Sequence, residues 1–291
     1  MRVTAFAGSG RVADFVELTK PNIVVFILAT VTAGFYLGSQ GSMAVATLVH
    51  TLIGSALVAA GSNALNQLLE RRIDARMRRT RQRPLPSGRL RTSESALFAW
   101  ALGIVGVGYL LAFTNPLVAL LAAVTLGSYV FVYTPLKRLT SLSTLIGAVP
   151  GALPIVGGWA AATGDLTLEA WVLFAILFLW QLPHFLALAW LYREDYARAG
   201  LRMLSVTDGA EATFRQALLY AVALLPVSLT LTVLGTTGLV YFIGAAVMGI
   251  LMVAATGAVA VDHAARKARR LFLVTIVYLP VMLALMVVDK A

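Results

Sequence analysis

The feature that most constrains this chain is MAVATLVHTLIGSALVAAGS, the run from Met43 to Ser62, which carries no Asp, Glu, Lys or Arg. A helix of roughly 20 apolar residues crosses the hydrocarbon core of a bilayer. In lipid every backbone N–H and C=O must be satisfied internally, so a run of this length spans as a helix. The pattern recurs over residues 21–38, 93–113, 116–133, 143–162, 168–191, 214–234, 239–261 and 270–288. With spans nearly back to back and no long linker, the expected fold is all-α. It is a polytopic bundle of nine transmembrane helices around a central cavity, forming one domain over residues 1–291.

Composition supports this. Charged residues make up 12% of the chain and hydrophobic ones 59%, whereas soluble domains carry about 25% charged residues. With no cysteine, disulfides, thiolate metal sites and cysteine nucleophiles are excluded. A net charge of +10 raises the question of nucleic acid. Its distribution answers no, because the basic residues cluster in alternate loops between apolar spans. Residues 1–20 have neither an apolar core with a cleavage site nor the length of a transit peptide, so no targeting segment is expected. Gly8-Ser9-Gly10-Arg11-Val12-Ala13 matches the loose dinucleotide pattern, but no strand precedes it.

The second span runs directly into the most chemically loaded stretch of the chain. Asn66, Glu70 and Asp74 are spaced i, i+4, i+8. On a helix each step drifts only about 40° and climbs about 6 Å, so an amide and two carboxylates line one face. Arg76, Arg78, Arg79, Arg81 and Arg83 follow, with Pro84, Pro86 and Gly88 turning the chain. Acceptors for a hard cation thus stand beside donors for a polyanion, as a magnesium–diphosphate pair requires. Carboxylates at the end of a membrane helix are costly and are functional candidates. An ion-paired helix end in a positive-inside loop remains the alternative.

Other signals lie at span ends or inside spans. Lys20-Pro21-Asn22 opens the first span, with Pro21 suited to a first helical turn. Thr92-Ser93-Glu94 reads as the cap of the third. In span five, Gly147 and Gly151 make a small-x3-small face, and Pro150 and Pro154 free backbone carbonyls, which is tolerated where a helix lines a cavity. His184 lies well inside span six. His50 is a weaker candidate, and His263 in a basic loop is expected to be solvated. Spans seven to nine carry little chemistry.

Asn66-x3-Glu70-x3-Asp74 followed by Arg79-Thr80-Arg81-x-Arg83-Pro84-Leu85-Pro86-Ser87-Gly88 resembles the first aspartate-rich motif of the UbiA-type intramembrane prenyltransferases. Within that superfamily the chain is most similar to the haem-modifying branch, the protoheme IX farnesyltransferases. Tyr133-Thr134-Pro135-Leu136-Lys137-Arg138 resembles the second loop element, and span five shows the GAxPxxxGWxA pattern. Trp180-Gln181-Leu182-Pro183-His184-Phe185 is again similar to the haem branch. Tyr192-Arg193-Glu194-Asp195-Tyr196 resembles the second acidic motif but is thinner, with Tyr192 and Tyr196 at two positions that are acidic elsewhere. Leu201-Arg202-Met203-Leu204-Ser205 departs from the usual proline-containing form.

The resemblance implies transfer of the farnesyl group of farnesyl diphosphate to a vinyl group of haem b, giving haem O after addition of water. It implies Mg2+ held by Asn66, Glu70, Asp74 and Asp195. The diphosphate would be met by Lys20, Arg81, Arg83, Tyr133, Lys137, Arg138, Tyr192 and Arg193. His184 would be an axial haem ligand, a contact to a haem propionate or a hydrogen-bonded interhelical histidine. A haem A synthase or a terminal oxidase assembly would be the partner. Rivals are prenylation of a quinone precursor or chlorophyllide, and a secondary transporter, which would put its carboxylates near the midplane.

Lys and Arg, Lys290 apart, fall in the N-terminal tail or near the loops after spans two, four, six and eight. The positive-inside rule then places the N terminus, both acidic motifs and residues 133–138 on the cytoplasmic side of a bacterial inner membrane, with the C terminus outside.

Overall fold

Each apolar run folds as a single helix, since only a helix satisfies its own backbone in lipid. The computed structural model describes residues 10–291, so Arg2 and the Gly8-Ser9 part of the dinucleotide look-alike lie outside it. Among the described residues there are nine helices long and apolar enough to span a membrane. In chain order the elements begin with α1 (Arg11–Thr19), α2 (Pro21–Gly38), α3 (Val45–Asp74), α4 (Thr92–Phe113) and α5 (Pro116–Gly127). A π-helical turn (Ser128–Tyr133) leads to α6 (Thr134–Leu136), α7 (Ser143–Thr163), α8 (Leu168–Leu191), α9 (Arg193–Ala199) and α10 (Leu204–Thr207). The chain closes with α11 (Gly209–Val233), α12 (Leu239–Val261) and α13 (Ala265–Val288).

Expected and observed bounds differ where polar chemistry intervenes. The seventh and ninth spans start earlier than the apolar pattern, at Gly209 and Ala265, because helices extend through their charged ends. The fourth span is not α-helical throughout. Pro135 has no N–H to return to Phe131, and the ladder ahead of it widens into the π-helical turn. The expected cap at Thr92-Ser93-Glu94 is not formed: Arg91 holds the cap position without a side-chain bond, and Glu94 instead meets Arg11 at 2.5 Å. Asn115 does cap α5, accepting from the Val118 N–H at 2.9 Å with Pro116 at the first position.

Helix approach is set by small residues. A Cβ on Gly34 would lie 2.0 Å from the Ile155 carbonyl oxygen, and one on Gly158 would lie 2.1 Å from that of Val31. α2 and α7 therefore touch backbone to backbone, as membrane helices do without a hydrophobic drive between them. Gly147 and Gly151 serve differently from the expected helix–helix face. Their missing side chains make room for the Tyr133 ring and for the Gln181 amide.

The α2–α7 contact generates a paired prediction. Gly158→Ala should lower the thermal midpoint in detergent and cost roughly 1–3 kcal/mol, the usual penalty for overpacking. Gly157→Ala meets nothing within 4 Å and should stay within about 0.5 kcal/mol of the parent. Equal behaviour of the two would remove the backbone contact as the reason for the glycine.

Candidate active site

α1 was not foreseen, and it organises the basic end of the bundle. Its last carbonyls have no helical partner, and α3 supplies the donors. Asn63 Nδ2 donates to Thr19 O at 3.1 Å and Gln67 Nε2 to Leu18 O at 2.8 Å. Arg89 pairs with both Asp14 and Glu17 and fixes the helix from the other side. The chain then turns sharply at Lys20, whose φ of 54° is the one positive value outside glycine among the described residues. Such a backbone is sparsely populated and persists where surroundings impose it. The turn aims Lys20 Nζ at Asn66 Oδ1, 3.0 Å away.

Residues 61–68 of α3 are buried on every side, and the acidic face continues from them. Each rung of that face is held by a different segment. Asn66 receives Lys20 and donates through Nδ2 to Thr134 Oγ1 at 3.2 Å. Glu70 Oε1 takes Lys137 Nζ at 2.8 Å. Asp74 Oδ2 takes Arg83 Nη1 at 2.8 Å. Asp74 is 1% exposed, and its second oxygen, Oδ1, is buried with no partner. A buried lone carboxylate oxygen is costly, so the arrangement has an open ligand position.

Three basic side chains thus face one amide and two carboxylates. Burial, then the neighbouring Arg83, push the Lys20 ammonium down to about 7. Lys137 is held well above its ordinary value, because Tyr133 and Glu70 outweigh its burial. Its Nζ also lies 4.3 Å over the Tyr133 ring, and Tyr133 stands 5.2 Å from Tyr129. The π-helical turn and Gly147 together seat that ring.

The loop after α8 joins this group through aromatic and apolar contacts. Arg79 lies 4.9 Å over the Tyr192 ring. Ile73 and Met77 pack with Ala189, Tyr196, Ala199 and Leu201, and the Arg202 N–H donates to Lys137 O at 3.0 Å. Burial raises the Tyr196 phenol, with Arg79 and Lys137 opposing and Tyr133 and Glu70 adding. Tyr196 is the residue of the second motif that packs against Ile73 and Met77 beside the acidic face. Asp195 pairs with Arg198 on its own short helix. Among the described residues, no three His, Cys, Asp or Glu side chains form a metal-holding group, so Asp195 does not gather with Glu70 and Asp74 into one.

Other expected contacts fall elsewhere. Arg193 turns back to Trp190, donating to its carbonyl at 3.2 Å and lying 4.4 Å over its ring. Arg81 is exposed. Arg138 lines a separate cavity of about 260 Å³ with Arg72 and Arg76. His184 Nδ1 meets Thr275 Oγ1 at 2.9 Å. His50 Nδ1 meets the Tyr109 hydroxyl at 2.8 Å. His263, expected to be solvated, is half-buried and stacks on Phe214 at 5.9 Å. Lys20 was legible as a basic residue at a span edge, but its strained backbone and the docking of α1 were not.

Among the described residues, nine helices able to span a membrane, with a polar pole of acids, amide and cations at one end, define an integral-membrane protein. The chain belongs to the UbiA prenyltransferase family, whose model matches residues 27–279. It is 46% identical over 287 residues to a protoheme IX farnesyltransferase of Solibacter usitatus, covering 95% of this chain and 98% of that protein. It is 42% identical over 284 residues to the protein of the same name from Gloeobacter violaceus, covering 97% and 93%. In fold it is similar to a digeranylgeranylglyceryl phosphate synthase at TM-score 0.82 and 18% identity, covering 96% of this chain and 98% of the other. A UbiA homolog from Archaeoglobus fulgidus bound to GPP and Mg2+ gives TM-score 0.68 at 16% identity, covering 94% and 99%.

The Glu70–Lys137 pair can be tested for its structural share. Both side chains are largely buried, so Lys137→Met leaves Glu70 as an unpaired charge and should cost roughly 3–5 kcal/mol in detergent unfolding. Adding Glu70→Gln should recover most of that loss, because the stranded charge is gone. A double variant no more stable than the single would show that the pair is not what Lys137 stabilises.

Proposed function

We propose that this chain is a protoheme IX farnesyltransferase, moving the farnesyl group of farnesyl diphosphate to a vinyl group of haem b and so making haem O. The observation that carries the reading is the Asn66–Glu70–Asp74 face, with the free Oδ1 of Asp74 and three cations above it. The relatives' shared name supports haem b as acceptor. The span-end position of the carboxylates disfavours a transporter.

The donor set fits magnesium, which takes one or two carboxylates, keeps substrate phosphate oxygens and needs no all-protein cage. Asp74 Oδ1, with Glu70 and Asn66, would hold the ion, and bound there it would neutralise the departing diphosphate. Lys20, Arg83 and Lys137 take the remaining phosphate charge, held in place before reaction by Asn66, Asp74 and Glu70, with which they now pair. With a trianionic diphosphate, one magnesium and Lys20 protonated, the charges of this group balance. Arg79, stacked on Tyr192, ties the loop after α3 to the loop after α8. Asp195 acts through Arg198 rather than on the same ion.

The C1–O bond of the allylic diphosphate breaks, and its electron pair leaves with the diphosphate. Tyr133, whose ring carries Lys137 Nζ, and Tyr129 beside it give the pole an aromatic wall that keeps water from the allylic cation. The terminal vinyl carbon of haem attacks C1, and the cation left on the inner carbon takes up water, which releases a proton. No nucleophilic side chain is required.

The basic end faces the cytoplasm of a bacterial inner membrane, with the C terminus outside. Reporters fused after α3, α6, α10 and α12 should all read cytoplasmic. A periplasmic reading for residues 75–91 would place the diphosphate on the wrong side.

Haem extracted from membranes with and without this chain should differ by the farnesyl adduct. Asp74→Asn keeps shape and removes charge, and should lower single-turnover rate at limiting magnesium at least about tenfold, or roughly 1.4 kcal/mol. Full activity in that variant would contradict the metal role of Asp74.

A further inference from the structure

This inference rests on the haem acceptor proposed above. The ninth span is apolar in sequence, yet Thr275 in α13 holds two residues of the Trp180–His184 element at once. Its carbonyl accepts the Trp180 Nε1–H at 2.8 Å. Its hydroxyl lies 2.9 Å from His184 Nδ1 and 2.6 Å from the carbonyl oxygen of Phe272.

These distances settle a proton. A hydroxyl and a carbonyl oxygen this close require a hydrogen between them, and the hydroxyl has one to give. Thr275 therefore donates to Phe272 and offers His184 only lone pairs. Nδ1 of His184 must be the protonated nitrogen, which leaves Nε2 with the free lone pair of a neutral imidazole. Nε2 has no hydrogen-bond partner among the described residues. Trp180 and Phe272 stack on the ring at centroid distances of 5.5 and 4.9 Å, which opposes a ring flip.

We propose that Thr275 is a positioning residue that fixes the Nδ1–H tautomer of His184, so that Nε2 is presented as an axial ligand to the iron of the haem acceptor. Metal-bound histidines commonly donate their other N–H to an oxygen that sets orientation and basicity, as here. His184 stands seven residues before the end of α8 at Leu191, about 10 Å below the basic end of the bundle.

The test uses the full-length purified chain in detergent with haem b alone, without the prenyl donor. Affinity is read from the Soret band, and the Fe–His stretch of the ferrous complex from resonance Raman. Thr275→Val keeps shape and loses the acceptor. It should weaken haem binding about 10–100-fold and shift the Fe–His stretch, and Thr275→Ser should restore both. His184→Gln should abolish the Fe–His stretch. A parental stretch and affinity in Thr275→Val, with the stretch lost in His184→Gln, would overturn the proposal by reducing Thr275 to packing. If His184→Gln keeps the stretch, ligation by His184 is wrong and the proposal falls with it. Farnesylated haem in the extraction experiment would still stand in that case, so the two failures are separable.

Discussion

The interaction on which the rest depends is the pairing of a buried polar ladder at the end of α3. An amide and two carboxylates on successive turns cannot be taken out of water alone, since an unpaired buried charge costs several kcal/mol. Lys20 comes from the α1–α2 turn, Lys137 from the end of α6, and Arg83 from the loop that follows the ladder itself. Three separate segments are thereby brought to one place. The strained backbone of Lys20, the docking of α1 on Asn63 and Gln67, and the π-helical turn before Thr134 all serve that convergence.

The same ladder leaves the pole with positive charge to spare. Cations exceed carboxylates, and Asp74 keeps a free oxygen. A site built this way is preorganised, because its charges are fixed by the fold before substrate arrives. Below it, the helices touch through glycines, with Gly34 and Gly158 against opposing backbone. The bundle has no apolar drive of its own in lipid, so close packing of small residues sets its shape. Gly147 extends that logic to the site by leaving space for Tyr133.

Deeper in the bundle, Trp180, His184, Phe272 and Thr275 form one contact set between α8 and α13. Two of these residues lie on a span whose sequence is almost uniformly apolar. A threonine in such a run commonly bonds back to its own helix, and Thr275 does so with Phe272. That local bond is what makes its hydroxyl an acceptor for His184.

The sequence by itself determined the nine spans, because backbone satisfaction in lipid leaves a long apolar run no other form. It also determined the acidic face, since the spacing of Asn66, Glu70 and Asp74 follows from helix geometry alone. Their partners were not legible: Lys20 lies 46 residues from Asn66 and Lys137 lies 67 from Glu70, and no local rule links such positions. Asp195 looked equivalent to Asp74 by composition, yet tertiary structure gave it to Arg198 and packed Tyr196 against Ile73 and Met77 instead. The role of Thr275 was likewise invisible, because a hydroxyl's hydrogen-bond sense is fixed only when all its neighbours are in place. Periodicity and charge are properties of the chain, whereas pairing and proton position arise only when distant segments meet.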